Sequence, residues 1–584
     1  MSYRYLNHLT AIEEAARTNP NNVAFKVPMK HENKWKDVSY KEFWDDVTRA
    51  GVYWSRLEQF ITVDHDRRTG ARKKEVVGLW YYLFSLCESE RAGYITQSIA
   101  TYVKDVDIVQ SLFQRSGAKI VLCDINHVKG WEQLEKAGIK VLPLLTDEEV
   151  VAITKISSSE LNSTLPPLDG DEDEVLFIQQ TSGSSSGRPK LVPLTRRWVD
   201  ASVRKCRIDK RKMRVYIRSG SFCYSGPLYT SLRIFLHAYC TVLTPSLFWK
   251  ADELADIITR FGVTDMTLYS SLASDVIQKA KTSALLTETV RTLDSFIYVG
   301  GPLNERDIEW AKEMGIKIVC RFASTEVGPL LFSEPGEPHL LRFFHTFDYQ
   351  FIPVDGYDKD SKFKELVILP TSPDCPVPAL RDPVDGKYHT KDLFESVGDG
   401  VYISRGRVDD MIITESASNC DARYIEDQIR YLCHDIISIF TVVGEGRPSP
   451  ALLVEPPETN TNTSTLHETL SKRLESLNSA KVVSYAHERL KPQYIIVVPK
   501  GSLPISPVKG TVIRSKAELM FKELLDRAYF EEAAIFIREQ EEIKTLKTGS
   551  IVLRWNEPML SMLKNVVESN RCRAVLSSYF SGFY

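Results

Sequence analysis

The 584-residue sequence lacks the motifs and the charge excess that are typical of several functional classes of protein. It has no C-x-x-C pair among its ten cysteines and no H-E-x-x-H among its eleven histidines, so it shows neither a zinc-cluster nor a metalloprotease motif. With 74 Lys and Arg against 77 Asp and Glu, it has no excess of charge that would favour a nucleic-acid partner. We expect its scattered cysteines to be reduced thiols.

Long hydrophobic runs are also missing. The longest, around Val76–Leu86, is far shorter than the roughly 20 residues that cross a bilayer. Glu13 and Glu14 stand where a signal peptide requires an apolar run. With 43% hydrophobic and 26% charged residues, the composition predicts a folded, soluble, cytoplasmic protein without a membrane span, and it specifies no oligomeric state.

Apolar segments that end in small-residue turns alternate with helical segments. FGVTDMTLYS, TLDSFIYVGG and GIKIVCRFAS are predicted strands, and DIVQSLFQRS is a predicted helix that ends at Gly117. This alternation predicts an α/β fold with parallel sheets, in which ligands bind at the carboxyl ends of the strands.

The most informative segment is VLFIQQTSGSSSGRPKLVPLT, residues 175–195. An apolar strand leads into residues 181–187, which are all Thr, Ser or Gly, and Lys190 follows. Glycine lets backbone N–H groups turn into one cavity, the hydroxyls add donors and the lysine adds positive charge. The segment is therefore predicted to bind a polyphosphate.

Three other interpretations of this segment compete with that prediction. A Walker A loop requires a glycine before its lysine, and Pro189 stands there instead. G-x-S-x-G is present around Ser185, but a hydrolase elbow passes from a strand directly into a helix, whereas the strand-like LVPL follows here. The third interpretation is a flexible Ser/Gly turn with no ligand.

The segment resembles the T-S-G-[ST]-T-G-x-P-K motif of the adenylate-forming enzymes, with Ser186 as one extra residue. That superfamily includes acyl-CoA synthetases, luciferases and peptide-synthetase adenylation domains. Further motifs follow in the family's order. YVGGPL resembles G-A-P-L, CRFASTEVGP resembles Y-G-x-T-E, and YHTKDLFE resembles Y-R-T-G-D-L with Lys391 in place of Gly. SRGRVDDMII resembles the hinge motif G-R-x-x-D-x-I, and LPISPVKGTVIR resembles the catalytic-lysine motif.

The resemblance implies a role for each matching residue. Glu326 would hold Mg²⁺, and Asp410 would be the hinge. The catalytic residues would be Thr181, Lys190, Glu326 and Lys509. The residues expected to bind ATP are Thr181, Ser182, Gly183, Ser184, Ser185, Ser186, Gly187, Lys190, Gly301, Pro302, Phe322, Ala323, Ser324, Thr325, Asp392, Arg407 and Lys509. For Phe322, core packing is the alternative to stacking on the adenine.

The acid would bind a second set of residues, which are Phe222, Cys223, Tyr224, Ser225, Gly300 and Ser324. In amino-acid activators an Asp at the position of Cys223 pairs with the substrate ammonium. A buried ammonium without a carboxylate partner is costly, so an aryl or other non-amino acid is favoured. Tyr298 and Phe322 would suit such a substrate.

The resemblance also implies an arrangement of domains. Residues 1–405 would form a large domain of αβαβα layers with a small β-barrel-like subdomain. Residues 406–411 would be the hinge, and 412–530 a small mobile α+β lid that carries Lys509. Residues 531–584 would be a helical extension.

The implied activity is ATP-dependent conversion of a carboxylic acid to an acyl adenylate, with release of pyrophosphate and transfer to a thiol. Coenzyme A is the expected thiol, because no carrier-type Ser motif follows Arg514. The hinge and lysine motifs look most like those of fungal enzymes, some of which use carriers. A phosphopantetheine carrier protein on another chain is therefore one alternative. A nucleotide-binding protein with impaired catalysis and a serine hydrolase built on Ser185 are the others.

Overall fold

The computed structural model describes residues 4–29, 34–55, 74–80, 86–99, 103, 105–125, 128–143, 145–156, 165–181, 190–205, 213–218, 225–244, 246, 248–345, 347–354, 362–415, 419–459, 461–479, 489–505 and 512–530. The chain divides into two compact units, Met1–Leu519 and Met520–Tyr584. In the second unit, residues 522–530 are helical, and the predicted extension 531–584 lies outside the described residues.

The helices of the described residues are α1 His8–Thr18, α2 Tyr40–Ser55, α3 Leu86–Arg91, α4 Val106–Ser116, α5 Glu132–Lys136, α6 Asp147–Thr154, α7 Arg196–Arg204, α8 Ser225–Leu236, α9 Ala251–Phe261, α10 Ser270–Thr282, α11 Ala284–Arg291, α12 Glu305–Glu313, α13 Ala422–Cys433, α14 Thr463–Ser479 and α15 Arg514–Met520. Short 3₁₀ turns cover Pro378–Leu380, Val408–Asp410 and Pro492–Tyr494.

The strands are β1 Val23–Pro28, β2 Trp35–Ser39, β3 Val76–Trp80, β4 Ile95–Ile99, β5 Ile120–Cys123, β6 Lys140–Pro143, β7 Val175–Thr181, β8 Lys190–Thr195, β9 Val215–Arg218, β10 Cys240–Val242, β11 Asp265–Tyr269, β12 Ser295–Val299, β13 Ile318–Ser324, β14 Gly328–Ser333, β15 Leu341–Phe343, β16 Tyr349–Ile352, β17 Phe363–Ile368, β18 Tyr388–Gly398, β19 Val401–Arg407, β20 Met411–Ile413, β21 Asn419–Asp421, β22 Phe440–Val443, β23 Ala451–Val454 and β24 Ile495–Val497.

Two large sheets carry most of the strands. One has 13 strands in the order β16-β17-β18-β19-β15-β14-β13-β12-β11-β9-β10-β1-β2, and the other has six in the order β6-β5-β3-β4-β7-β8. Strands β9, β11, β12 and β13 pair in parallel, whereas β14 to β19 pair antiparallel. The α/β fold class is confirmed, with parallel pairing where helices alternate with strands.

Local signals in the sequence account for several element boundaries. The predicted strands in FGVTDMTLYS, TLDSFIYVGG and GIKIVCRFAS are β11, β12 and β13. The predicted helix is α4, and Gly117 ends it with a φ of 76°, the left-handed conformation that glycine adopts without a steric penalty. Antiparallel strands β20–β21 and the sheet β22-β23-β24 follow residue 410.

The hydrophobic side chains form several clusters. One lies among α1, α2 and α8 and includes Phe177 and Tyr216, while a second packs α9 to α12 on the 13-stranded sheet. A separate cluster draws its buried residues only from the stretch Ile412–Ile495. In the part of the chain that the structure describes, no helix is both long and apolar enough to cross a membrane.

We expect Gly78→Ala to lower the melting temperature, because helix α4 packs directly on strand β3 at this residue. A Cβ atom at Gly78 would lie 2.7 Å from Cζ of Phe113, and overpacking of this kind costs about 1–3 kcal/mol. Gly226→Ala is the matched control, because the nearest atom to its added Cβ is 3.6 Å away. Equal melting temperatures for the two variants in differential scanning fluorimetry would contradict this expectation.

Candidate active site

The predicted phosphate-binding segment connects two antiparallel strands. Thr181 ends β7, Lys190 begins β8, and the two residues pair directly across the hairpin. The predicted ligand residues between them, which are Ser182, Gly183, Ser184, Ser185, Ser186 and Gly187, lie outside the described residues. Lys190 is exposed at the start of β8.

The same hairpin excludes one alternative. A hydrolase elbow requires a helix directly after the nucleophile turn, and here the six-residue strand β8 comes first. The serine hydrolase built on Ser185 is therefore rejected.

The turn after β12 brings the backbone close to the neighbouring strand. Gly300 has a φ of 83°, and a Cβ atom there would lie 3.3 Å from Cδ1 of Tyr269. A Cβ at Gly301 would lie 3.1 Å from Oγ of Ser270 and 3.3 Å from Nη2 of Arg423. The Gly300-Gly301 turn, which continues into Pro302, thus packs closely against Tyr269, Ser270 and Arg423 because it has no side chains.

Strand β13 ends beside that turn, because it pairs in parallel with β12. The motif residues Phe322 to Ser324 form its last part, and Thr325 and Glu326 lie in the turn that follows. Oγ of Ser324 accepts a hydrogen bond from the amide of Val327 at 3.1 Å, which closes the turn. This geometry places Glu326 at the carboxyl edge of the parallel strands, where α/β proteins bind ligands.

Two aromatic residues that sequence reasoning assigned to ligands pack into hydrophobic clusters. The ring of Phe322 meets that of Phe394 edge-on, at 5.1 Å between centroids. Tyr298 is only 3% exposed within the cluster under α9 to α12. These contacts favour core packing for both side chains.

Asp392 forms a buried ion pair across two antiparallel strands. Its Oδ1 accepts a hydrogen bond from Nη1 of Arg407 at 2.9 Å, and the two residues are partners in the β18–β19 register. Burial raises the pKa of the Asp392 carboxyl to about 6, although Arg407 acts in the opposite direction. Asp392 is therefore a carboxylate near neutral pH that gains a proton in mild acid.

Tyr388 connects Asp392 to Glu326. Its hydroxyl pKa is raised by burial first, and then by the neighbouring carboxylates of Glu326 and Asp392. Tyr388 is the first residue of the motif YHTKDLFE, and the sequence alone assigned it no role. Two carboxylates and a phenol therefore share one site, with the guanidinium of Arg407 beside them.

Lys391 occupies a backbone conformation that suits glycine. Its φ is 61°, and its amide donates to Oε1 of Glu365 at 2.8 Å. The glycine of the Y-R-T-G-D-L motif stands at this position, directly before Asp392. The substitution of Lys for Gly keeps this conformation in spite of its steric cost.

Two arginines contact the predicted hinge residue. Asp410 lies in the 3₁₀ turn after Arg407, and its carboxylate is 3.8 Å from Nη1 of Arg423 and 3.8 Å from Nη2 of Arg514. Arg514 also donates to Oε1 of Glu426 at 2.6 Å. The hinge motif identified Asp410 but not Arg423 or Arg514, since no local pattern pairs residues so far apart.

The remaining predicted residues are incompletely described. Phe222, Cys223, Tyr224 and Lys509 lie outside the described residues, and helix α8 begins at Ser225. Among the described residues, no group of three or more His, Cys, Asp or Glu side chains could hold a metal ion. Mg²⁺ does not need such a cage, because it is commonly bound by one or two carboxylates together with substrate phosphates. The single carboxylate of Glu326 is therefore enough protein ligand for a Mg²⁺ ion that also binds the phosphates of ATP.

Two family models match the chain. Residues 105–343 match the AMP-binding enzyme model, and residues 409–533 match the AMP-binding enzyme C-terminal domain. The AMP-binding domain-containing enzyme iboA of Amanita muscaria (strain Koide BX008) is 28% identical over 529 residues, which are 85% of this chain and 98% of the relative. A carboxylic acid reductase of Neurospora crassa is 22% identical over 573 residues, and the match spans 89% of this chain but only 50% of the reductase.

The fold is shared with a solved bacterial enzyme. O-succinylbenzoate coenzyme A synthetase from Bacillus subtilis, solved with AMP, has a TM-score of 0.65 and 14% identity, and the match covers 88% of this chain and 98% of the synthetase. The same enzyme has been solved with ATP and a magnesium ion, and that structure has a TM-score of 0.63, with 15% identity over 87% of this chain and 99% of the synthetase. Motif order, fold and both family models agree, and the chain belongs to the adenylate-forming, AMP-binding enzymes.

Proposed function

We propose that this adenylate-forming enzyme activates an aryl or other non-amino carboxylic acid with ATP and transfers the acyl group to coenzyme A. A carboxylate oxygen attacks the α-phosphorus of ATP, and the bond to pyrophosphate breaks. The thiol sulfur then attacks the acyl carbon and AMP leaves. The observation that carries this proposal is the buried Asp392–Arg407 pair beside Glu326, at the edge where the parallel strands end.

Each charged residue has a separate task in this proposal. Asp392 accepts hydrogen bonds from the ribose hydroxyls, and Arg407 keeps its carboxylate oriented. The hairpin loop from Thr181 to Lys190 holds the β- and γ-phosphates. Lys509 stabilises the charge that develops at the α-phosphate, where a fixed cation lowers the barrier most.

The nucleobase and the acid occupy the neighbouring turns. Gly301, Pro302 and the motif 322–325 border the adenine, while Gly300, Ser324 and residues 222–225 border the acyl group. Glu326 holds Mg²⁺, which neutralises phosphate charge when it is bound.

We further propose that residues 412–530 form a lid that swings on Asp410. Two features support it. The lid has a hydrophobic cluster of its own, so it can move as a body. In addition, two described contacts between the lid and the preceding residues involve arginines, namely Arg306 over the ring of Tyr431 at 4.7 Å and Arg423 beside Asp410.

The thiol acceptor has one serious alternative. In this alternative the acyl group passes to a phosphopantetheine carrier on another chain instead of coenzyme A, as in some fungal enzymes that the hinge and lysine motifs resemble. Product analysis with coenzyme A and with a phosphopantetheinylated carrier protein distinguishes the two acceptors.

ATP–pyrophosphate exchange across aryl, fatty and α-amino acids tests the activation step. We expect exchange with members of the first two groups and none with α-amino acids, because Cys223 supplies no charge to an ammonium. Exchange with α-amino acids alone would contradict the proposed substrate class. Binding of ATP without exchange for any acid would favour the binding protein with impaired catalysis.

Lys509→Ala is expected to reduce adenylation far more than thioester formation from supplied acyl adenylate. The reason is that the lysine stabilises charge only in the first half-reaction. Lys516→Ala is the matched control, since Lys516 is an exposed lysine on α15 in the same lid. Equal losses in both half-reactions would contradict the proposal that Lys509 acts only in adenylation.

Nucleoside binding is expected to weaken in mild acid, because Asp392 must be ionised to accept from the ribose. With a pKa of about 6 in the folded protein, the affinity for adenosine should be constant above roughly pH 7. It should fall about tenfold per pH unit well below the pKa. Adenosine is the probe because it has no phosphate that titrates in this range.

Calorimetric titration of adenosine between about pH 5 and pH 8 measures this dependence, over the range set by the raised pKa. Asp392→Asn is expected to bind adenosine weakly and with little change over the same range. An unchanged acid slope in that variant would assign the titration to another group.

A further inference from the structure

Helix α7 and the residue after it contact the segment 326–329, which carries Glu326. The indole Nε1 of Trp198 donates to the carbonyl oxygen of Glu326 at 2.8 Å. Just after the helix, Nζ of Lys205 donates to the carbonyl oxygens of Val327 at 2.9 Å and Pro329 at 3.2 Å. Side chains of one short stretch, 198–205, therefore fix three carbonyls on the segment 326–329.

The approach of this helix requires glycine at residue 328. Gly328 has a φ of 75°, and a Cβ atom there would lie 2.8 Å from Oγ of Ser202 and 3.3 Å from Cζ2 of Trp198. Helix and segment are therefore in direct contact at the residue that separates the two carbonyls bound by Lys205.

Lys205 is held by a buried ion pair. Its side chain and that of Asp374 are both fully buried and in contact, so the ammonium uses its three donors on Asp374 and on two backbone carbonyls. Asp374 also accepts from the hydroxyls of Tyr349, at 2.5 Å, and Ser372. Each charge is thus compensated by hydrogen bonds, which is what makes a buried ion pair tolerable and geometrically defined.

The same helix begins at the phosphate hairpin. Strand β8 runs from Lys190 to Thr195, and Oγ1 of Thr195 caps α7 by accepting from the amide of Trp198 at 3.2 Å. The stretch 190–205 thus begins at Lys190, a predicted phosphate ligand, and ends with Trp198 and Lys205, which bind carbonyls of the segment 326–329.

We propose that Trp198 and the Lys205–Asp374 pair are positioning residues for the magnesium-binding carboxylate. They set the main chain of Glu326 relative to the hairpin at Lys190, so that the carboxylate meets a cation bound to the ATP phosphates. This inference rests on the proposed function, because it takes Glu326 as the Mg²⁺ ligand and the hairpin as the phosphate site.

Trp198→Phe tests the inference at the level of one hydrogen bond. The variant removes the donor to the Glu326 carbonyl together with the outer indole atoms that lie near Gly328. Trp249→Phe loses the same side-chain volume, so a comparison of the two variants isolates the hydrogen bond. Calorimetry with ATP, once with Mg²⁺ and once with EDTA, gives the factor by which Mg²⁺ tightens binding. We expect that factor to be about three- to tenfold smaller in the variant, as for the loss of one hydrogen bond, while binding in EDTA is unchanged.

Trp249→Phe is the matched control. Trp249 is 2% exposed against 3% for Trp198, and its Nε1 has no hydrogen-bond partner among the described residues. The control should leave the Mg²⁺ factor at its wild-type value even if it lowers the melting temperature. A wild-type factor in Trp198→Phe, or equal reductions in both variants, would overturn the positioning role.

The double variant Lys205→Met with Asp374→Leu tests the ion pair without leaving one buried charge unpaired. We expect it to reduce the Mg²⁺ factor at least as much as Trp198→Phe. A folded double variant with the wild-type factor would show that the pair serves stability alone. If the wild-type protein itself binds no ATP, the proposed function fails, which is a different result from a wild-type protein whose Mg²⁺ factor the variants do not alter.

Discussion

The parallel register of β11, β12 and β13 is the constraint on which the site depends. Hydrogen bonds between these strands bring their carboxyl ends to one edge of the 13-stranded sheet. The Gly300 turn and the Glu326 turn follow two of those ends. Because a slip of one residue would exchange the two faces of a strand, the buried side chains hold this register as firmly as the backbone does.

Much of the fold could be predicted because its signals are local. Apolar runs that end in small residues predicted β11, β12 and β13, and the glycine after DIVQSLFQRS predicted the end of α4. Asp392 and Arg407 were assigned to ATP binding only by resemblance to a family, and their mutual contact was not predicted. In the structure it follows from two long antiparallel strands that set the two residues opposite each other.

The supporting contacts could not be predicted from the sequence. Trp198 and Glu326 are 128 residues apart, and Lys205 and Val327 are 122 apart, so no periodicity or motif relates them. An isolated lysine at the end of a helix is normally read as a solvated charge, and only the packing of distant segments gives it a buried partner. Phe322 and Tyr298 illustrate the reverse case, since aromatic residues in motifs can belong to the core.

The pairing of Thr181 with Lys190 has a consequence for the variability of the loop between them. Since the strands fix both ends of the loop, an additional residue such as Ser186 lengthens the arc without moving either anchor. The entropic cost of a slightly longer loop is small, because it grows only with the logarithm of loop length. The paired strand ends thus fix the two anchors of the proposed phosphate site, whatever the number of residues between them.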